Sequence, residues 1–239
     1  MPAVSALFAL AFVSTEAPIQ IKSGEDLIRA MHAKYSATWY RKLTFVQRVI
    51  RPGRPEEEWW EAALIPGRLR IDVAPVDSGQ SFVYRGDSSY IFSNGKLTQS
   101  AADRNILLIL GFDVYGQPPA KTIELLKAED YDLTRVREAT WEGRPAYVVG
   151  TDNRQFWVDK DRLLFLRVLE PGPQGASIDI RFNKYVKLEG GWIAPEVVFL
   201  RNGTEFMREV YRDWKVNPAV NEDLFAVPPW KRAVWIPKQ

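Results

Sequence analysis

The sequence contains no cysteine and only one histidine, His32, among its 239 residues. The missing cysteines exclude disulfide bonds, a thiolate nucleophile, a cysteine-ligated zinc ion and an iron–sulfur cluster. A metal site built from several histidines is also excluded, and a Ser-His-Asp hydrolase would have to use His32. Neither sign of charge is in large excess, because 32 basic and 30 acidic residues leave a net charge of +2. The charge balance therefore gives no indication of a nucleic-acid partner.

One apolar run stands near the N-terminus, at residues 4–13. It is too short to cross a bilayer core of about 30 Å, but its length is typical of the apolar part of an export signal. We therefore expect residues 1–17 to be a signal peptide and residues 18–239 to be a single exported domain, with an ordinary buried N-terminal segment as the alternative. Because no cysteine follows the run, the chain cannot be lipidated as a bacterial lipoprotein is, and we expect it to be soluble.

Three segments have the pattern of helices. Ser23 is a candidate N-cap for a helix over residues 23–35, in which apolar residues recur at helical spacing. Residues 104–112 and 119–129 interrupt the strand pattern in the middle of the chain and predict two short helices. The second of these begins at Pro119, a residue that suits a first helical turn.

Elsewhere, apolar and polar residues alternate with a period of two, which is typical of strands with one buried face. Turn residues such as Asn94-Gly95 and Asn202-Gly203 separate the successive segments. The pattern predicts about eleven to thirteen strands joined by local hairpins. The expected fold is mainly β with a few helices: one curved antiparallel sheet that forms a half-open barrel capped by helices.

Candidate catalytic and metal-ligating residues are few. His32 lies beside the apolar stripe of the first predicted helix, with no partner motif that would make it a base. Glu56, Glu57, Glu58 and Glu61 resemble a carboxylate cluster, but consecutive strand residues point to opposite faces, so only Glu56 and Glu58 could converge. A solvated turn that leads into a strand explains these residues better. We therefore expect neither an enzyme nor a metal or cofactor site.

Aromatic residues make up 13% of the chain, and many fall on the apolar positions of successive strands. They could form an ordinary core, but a curved sheet of this size encloses more volume than its own side chains fill, unless helices or a ligand occupy it. We favour an apolar ligand cavity. Its candidate wall residues are Phe45, Trp60, Leu69, Ile71, Phe82, Tyr84, Tyr90, Phe92, Phe165, Ile180, Phe182 and Phe199. Residues 106–110, in the helix predicted over 104–112, are apolar on every side of the helix. We therefore expect a lid formed by Ile106, Leu107, Leu108, Ile109, Leu110 and Phe112.

Several stretches together resemble the LolA/LolB superfamily of outer-membrane lipoprotein-sorting proteins. Residues 155–167 are similar to the family's strand-Asp-turn-strand element, and Asn221-Glu-Asp-Leu-Phe-Ala-Val-Pro228 is similar to its C-terminal Leu-Phe-x-x-Pro signature. Phe182-Asn-Lys-Tyr185 and Gly191-Trp-Ile-Ala-Pro-Glu196 belong to the same resemblance. It covers nearly all of the expected exported chain, although residues 229–237 have no counterpart that we can assign.

The resemblance implies a half-open barrel capped by helices that shelters acyl chains in the periplasm. The missing lipidation cysteine makes the chain more similar to the soluble carrier than to the anchored acceptor. We expect a monomeric carrier or chaperone for acylated lipoproteins or lipids, with an inner-membrane donor protein and an outer-membrane acceptor protein as partners. One alternative is a LolA-like module that senses envelope damage and signals through a protein partner, bound through the C-terminal tail. An enzyme of envelope metabolism is a third hypothesis.

Overall fold

The computed structural model describes residues 20–227 and 230–237, within which the chain forms fifteen strands and three α-helices. The predicted signal peptide, residues 1–17, lies outside the described residues. The helices are α1 (Gly24–Tyr35), α2 (Ile106–Gly111) and α3 (Pro119–Ala128). The strands are β1 (Lys42–Ile50), β2 (Glu57–Leu64), β3 (Arg68–Val73), β4 (Ser81–Arg85), β5 (Ser88–Ser93), β6 (Lys96–Ala102), β7 (Val136–Trp141), β8 (Arg144–Gly150), β9 (Gln155–Asp159), β10 (Phe165–Pro171), β11 (Ser177–Asn183), β12 (Val186–Lys187), β13 (Trp192–Ile193), β14 (Glu196–Arg201) and β15 (Thr204–Val216).

Thirteen of these strands form one antiparallel sheet, in the order β6-β5-β4-β3-β2-β1-β15-β14-β11-β10-β9-β8-β7. The first six strands are consecutive hairpins, and the last strand returns to pair with β1, so the two halves of the chain join at the centre of the sheet. Strands β6 and β7 end the order and do not pair with each other. The sheet is therefore a half-open barrel, which confirms the predicted fold class.

Two segments that alternation predicts to be single strands are interrupted. Alternation predicts one strand over residues 177–188, but the strand ends at Asn183 because Lys184 turns the chain with a φ of 59°. It also predicts one strand over residues 192–201, but this strand breaks after Ile193, where Pro195 has no N–H to contribute to a ladder. The pieces left over, β12 and β13, pair with each other as a separate two-stranded hairpin.

All three predicted helices form. Ser23 is the N-cap of α1, and its hydroxyl accepts a hydrogen bond from the Asp26 N–H at 3.1 Å. Helix α2 begins two residues later than predicted, after Asn105, and α3 begins at Pro119 as predicted. In the part of the chain that the structure describes, none of the helices has the length and apolar character needed to span a membrane.

The helices occupy the hollow of the curved sheet. We call this side the concave face; it carries Phe45, Ile71 and Phe182. Leu27, Met31, Leu110 and Leu126 of the helices are fully buried in one apolar cluster with the side chains of this face. A Cβ atom on Gly24 would lie only 2.5 Å from Val149 Cγ1, so α1 packs tightly against β8. Protein side chains therefore fill most of the volume that the sheet encloses.

The opposite side, which we call the outer face, carries the C-terminal tail, residues 230–237. Trp235 packs on Trp60 with ring centroids 5.7 Å apart, and the Trp230 indole N–H donates to Ser81 Oγ at 2.7 Å. Ala233 and Ile236 are buried. The tail thus covers strands β2 to β4 from outside, so residues on both faces of these strands are shielded from solvent.

Candidate ligand-binding site

Helix α2 is apolar all round because it lies within the hollow of the sheet. Asn105 caps it: the side-chain Oδ1 accepts hydrogen bonds from the N–H groups of Leu107 and Leu108, both at 3.0 Å. At the other end, a Cβ atom on Gly111 would lie 3.3 Å from the Phe182 ring, so this glycine allows the helix to approach β11 closely. Leu108, Ile109 and Leu110 are buried, whereas Ile106, Leu107 and Phe112 are half-buried.

A small cavity of about 80 Å³ lies between α2 and the concave face. Seven of the side chains expected at the cavity wall or lid line it. They are Phe45, Leu69, Ile71, Leu107, Leu108, Phe112 and Phe182. A volume of this size holds only two or three water molecules at roughly 30 Å³ each, whereas pockets for organic ligands measure about 300–1,000 Å³. A ligand with a long chain can enter only if α2 moves.

The cavity also has polar side chains at its floor. Glu61 of β2 and Glu209 of β15 line it and are only 4% and 8% exposed, and the Tyr211 hydroxyl donates to Glu209 Oε2 at 2.9 Å. Burial, reinforced by the nearby Glu209 carboxyl, raises the pKa of Glu61 well above its usual range. Burial likewise raises the pKa of Glu209 to about 7, although Tyr211, Gln47 and Arg51 act in the opposite direction. Both carboxyls are therefore harder to ionise than an exposed glutamate.

Polar contacts hold both ends of α2. Just before the helix, Arg104 forms ion pairs with Asp87 at 3.1 Å and with Glu129 at 2.8 Å. Just after it, Asp113 accepts a hydrogen bond from the Gly67 N–H at 3.0 Å. Asp113 is 2% exposed, and burial raises its pKa to about 7. The helix is thus tied to the turns between β4 and β5 and between β2 and β3, with apolar packing between these two contacts.

The sequence matches no protein-family model and no curated relative. Solved structures do match. A DUF1329 family protein from Desulfovibrio piger has a TM-score of 0.57 and 14% identity, over 87% of this chain and 98% of that one. A domain from Vibrio parahaemolyticus, described as an outer membrane lipoprotein-sorting protein, has a TM-score of 0.59 and 12% identity, over 84% and 95%. A LolA superfamily protein from Nitrosomonas europaea has a TM-score of 0.54 and 12% identity, over 85% and 97%.

The chain has a LolA-like fold. Each match spans nearly the whole of the compared structure, so the likeness covers the sheet together with its helices. At identities of 12–14%, it establishes the fold alone.

Five further predicted wall residues lie on the concave face of the LolA-like sheet without lining the cavity. Phe165, Ile180 and Phe199 are buried in the apolar cluster, and Phe82 and Tyr84 pack against its edge. Ile106, Ile109 and Leu110 of the predicted lid also belong to this cluster and do not line the cavity. In this structure, these residues are part of the hydrophobic core or pack against it.

The placement of Trp60, Tyr90 and Phe92 in the cavity wall needs correction. Residues paired across antiparallel strands share a face. Trp60 pairs with Asp72, Asp72 with Ser81, and Ser81 with Phe92, all on the outer face. Tyr90 pairs with Val83 and lies on the outer face too. The tail covers the outer face, so aromatic residues are shielded on both faces and alternation alone could not show which of them point inward.

The cavity carboxyls were missed by sequence reasoning. Glu61 was considered only with the acidic run before it, and Glu209 was not considered. The available signal was the strand period of two: Glu61 lies on the same face of β2 as Trp59 and Ala63. Carboxylates are rarely buried without a partner, so neither position could be assigned to the interior from residue type.

The other candidate residues form no site. Glu56 lies 3.5 Å from Arg48 and Glu58 lies 2.5 Å from Arg212, so both carboxylates are in exposed ion pairs. Burial, with a contribution from the charge of Arg41, lowers the pKa of His32. Among residues 20–227 and 230–237, no group of three or more carboxylate or histidine side chains is placed to hold a metal ion.

Proposed function

We propose that this protein is a periplasmic carrier that shelters the acyl chains of lipoproteins or lipids between α2 and the concave face of its sheet. The observation that carries the proposal is the cavity under α2: its walls are mainly apolar, and its roof is a short helix fixed by polar contacts only at its ends. The LolA-like fold supports the same role. No residue is assigned a catalytic step.

The energetics favour a movable α2. A helix of six residues is not stable alone in water, so packing against the sheet holds it in place. An acyl chain of about fourteen methylene groups that leaves water gains on the order of 10 kcal/mol before other costs. Such a chain can replace the contacts of Leu107, Leu108 and Phe112 with the concave face.

Export, partners and assembly are parts of the same proposal. Residues 1–17 act as the export signal of a monomeric carrier that receives its cargo from an inner-membrane donor and delivers it to an outer-membrane acceptor. The sensor alternative uses the C-terminal tail as its contact. Ala233 and Ile236 of the tail are buried against the outer face, so a partner that contacts them would have to displace the tail, and we favour the carrier.

Binding is tested with an apolar fluorescent dye and a diacylated lipopeptide. Delipidated protein should enhance the fluorescence of the dye, and the lipopeptide should displace it. Native mass spectrometry of protein purified from its own periplasm should show co-purified lipid or acylated peptide. A protein that binds no dye, lipid or lipopeptide would contradict the proposal.

Movement of α2 is tested by cysteine labelling, which the cysteine-free sequence makes specific. A single Leu107→Cys substitution places a thiol at the cavity, and bound lipopeptide should make its alkylation several-fold faster because α2 is displaced. Leu97→Cys is the matched control, since Leu97 lies exposed on β6; its rate should not change. Equal rates at position 107 with and without ligand would contradict a movable lid.

A further inference from the structure

Four polar side chains meet on the concave face beneath α2, on three adjacent strands. They are Gln47 of β1, Glu61 of β2, and Glu209 and Tyr211 of β15. Gln47 pairs directly with Tyr211, while Glu61 pairs with Phe45 and Glu209 with Val49, the neighbours of Gln47 on the same face. The two carboxyls thus flank Gln47 at the centre of the sheet. Glu61, Glu209 and Tyr211 also line the cavity.

This cluster has hydrogen-bonding capacity that the protein does not use. Gln47 is 1% exposed, and neither its Nε2 nor its Oε1 makes a hydrogen bond of standard geometry in the described part of the chain, although its side chain lies close enough to Glu209 to lower the pKa of that carboxyl. Among the same residues, no ion pair joins Glu61 or Glu209 to a basic side chain, and Arg51, the cation acting on Glu209, is paired with Glu57 at 2.7 Å. Unsatisfied buried polar groups are costly, and those in native structures call for an explanation.

We propose that Gln47, Glu61, Glu209 and Tyr211 bind the ammonium group of a primary-amine amphiphile, whose alkyl chain takes the place of α2 against the apolar part of the concave face. This inference rests on the proposed function and names a class of ligand for it. An ammonium group has three donors and no acceptor, and it matches two carboxylates and an amide oxygen. It also neutralises charge that the protein leaves without a counter-ion.

Other ligand classes fit less well. A fatty acid or an anionic head group would place a further negative charge beside two buried carboxyls that burial already makes harder to ionise. A calcium ion needs six to eight oxygen ligands, which the surrounding Phe45, Ile71 and Phe182 cannot supply. An alcohol can accept or donate a hydrogen bond but leaves the charge of the carboxyl pair unbalanced.

Binding of an ammonium ion should also change the number of protons bound to the carboxyl pair. The charged and titratable groups that face the pair are Tyr211 of β15, Tyr84 of β4 and Arg51 beyond β1. Asn105, the N-cap of α2, also lines the cavity. Because burial keeps the pair partly protonated at neutral pH, a bound ammonium ion should expel a proton. Alcohol binding should expel none.

The experiment compares dodecylamine, dodecanol and dodecanoate, each below its micelle concentration, by calorimetry at pH 7 in two buffers of different protonation enthalpy. The wild-type protein should bind the amine about 10- to 100-fold more tightly than the alcohol. It should also release a proton to the buffer on binding the amine only. In Glu61→Gln/Glu209→Gln both differences should disappear while alcohol binding persists. Glu124→Gln, which changes an exposed carboxylate of α3, should behave as the wild type.

Each result decides between the proposals. Equal affinities for amine and alcohol, or an amine preference that survives in the double variant, would overturn the ammonium site and leave the carrier function standing. Failure of all three ligands to bind would overturn both. If the double variant does not fold, the wild-type affinity ratio and proton release still decide the question, and each single variant repeats the test.

Discussion

The two faces of the sheet bury charged residues in opposite ways. On the outer face, the side chains of Arg70 and Asp72 are both 2% exposed and joined by two hydrogen bonds of 2.7 and 2.8 Å. Arg70 also donates to the carbonyl oxygens of Leu224 and Lys231, at 2.9 and 2.7 Å. On the concave face, Glu61 and Glu209 are buried with no basic partner among the described residues. One face satisfies its charges within the chain, and the other does not.

The comparison separates structural from functional burial. The outer pair ties the C-terminal tail to β3, because Arg70 reaches backbone on both sides of residues 228–229. A buried pair of this kind fixes the position of a segment more than it adds free energy of folding. The concave cluster fixes no segment and keeps its hydrogen-bonding groups available. A site that must accept and release a ligand requires that availability.

The largest effect is expected from Arg70→Met, which breaks the outer pair. It leaves Asp72 buried without its ion-pair partner and removes the hydrogen bonds to the carbonyl oxygens of Leu224 and Lys231. We expect the free energy of unfolding to fall by about 3–5 kcal/mol, measured by urea denaturation. Limited proteolysis should then cleave near residues 228–237. The double variant Arg70→Met/Asp72→Leu should recover much of the loss; an equal loss in both would show that the tail contacts, and not the stranded carboxylate, dominate.

A smaller effect of opposite sign is expected from Glu209→Gln on the concave face. The pKa of Glu209 is raised to about 7 in the folded protein, so its contribution to stability is full below the unfolded value near 4.5 and is lost as the pH rises through 7. The glutamine side chain of the variant does not ionise, so the variant does not lose this stability as the pH rises. Its stability relative to the wild type should therefore rise from near zero at pH 4.5 to about 2–3 kcal/mol at pH 8.

The measurement is urea denaturation of both proteins at several pH values, with Glu124→Gln as the control that should show no such trend. A Glu209→Gln protein that is destabilised equally at every pH would mean that the carboxylate is needed by the fold. The contrast between the two faces would then be lost.

How far the sequence predicts this molecule depends on whether a feature is local. The caps of α1 and α2 and the hairpin turns depend on residues close in sequence, and the structure confirms the helices and the sheet. The face on which Trp60 and Phe92 lie depends on strand register, and their burial there depends on a tail more than 130 positions away. Alternation alone does not show which of two covered faces is the concave one. Glu61 and Glu209 are brought together by the pairing of β1 with both β2 and β15, which no local pattern encodes.

The smallest effect is expected from Arg104→Gln, which tests whether ion pairs outside the hollow restrain the concave site. Of the two partners of Arg104, Asp87 is exposed in a turn and Glu129 is half-buried at the end of α3, and ion pairs near the surface add little to global stability. We therefore expect an unchanged urea midpoint, but alkylation of a cysteine at position 107 about two- to five-fold faster, because one end of α2 is released. Arg135→Gln removes an ion pair with Asp132 that does not touch α2 and is the control. If both variants are alkylated at the wild-type rate, apolar burial alone holds α2 in place. Ligand entry must then be driven entirely by the acyl chain of the ligand that replaces α2.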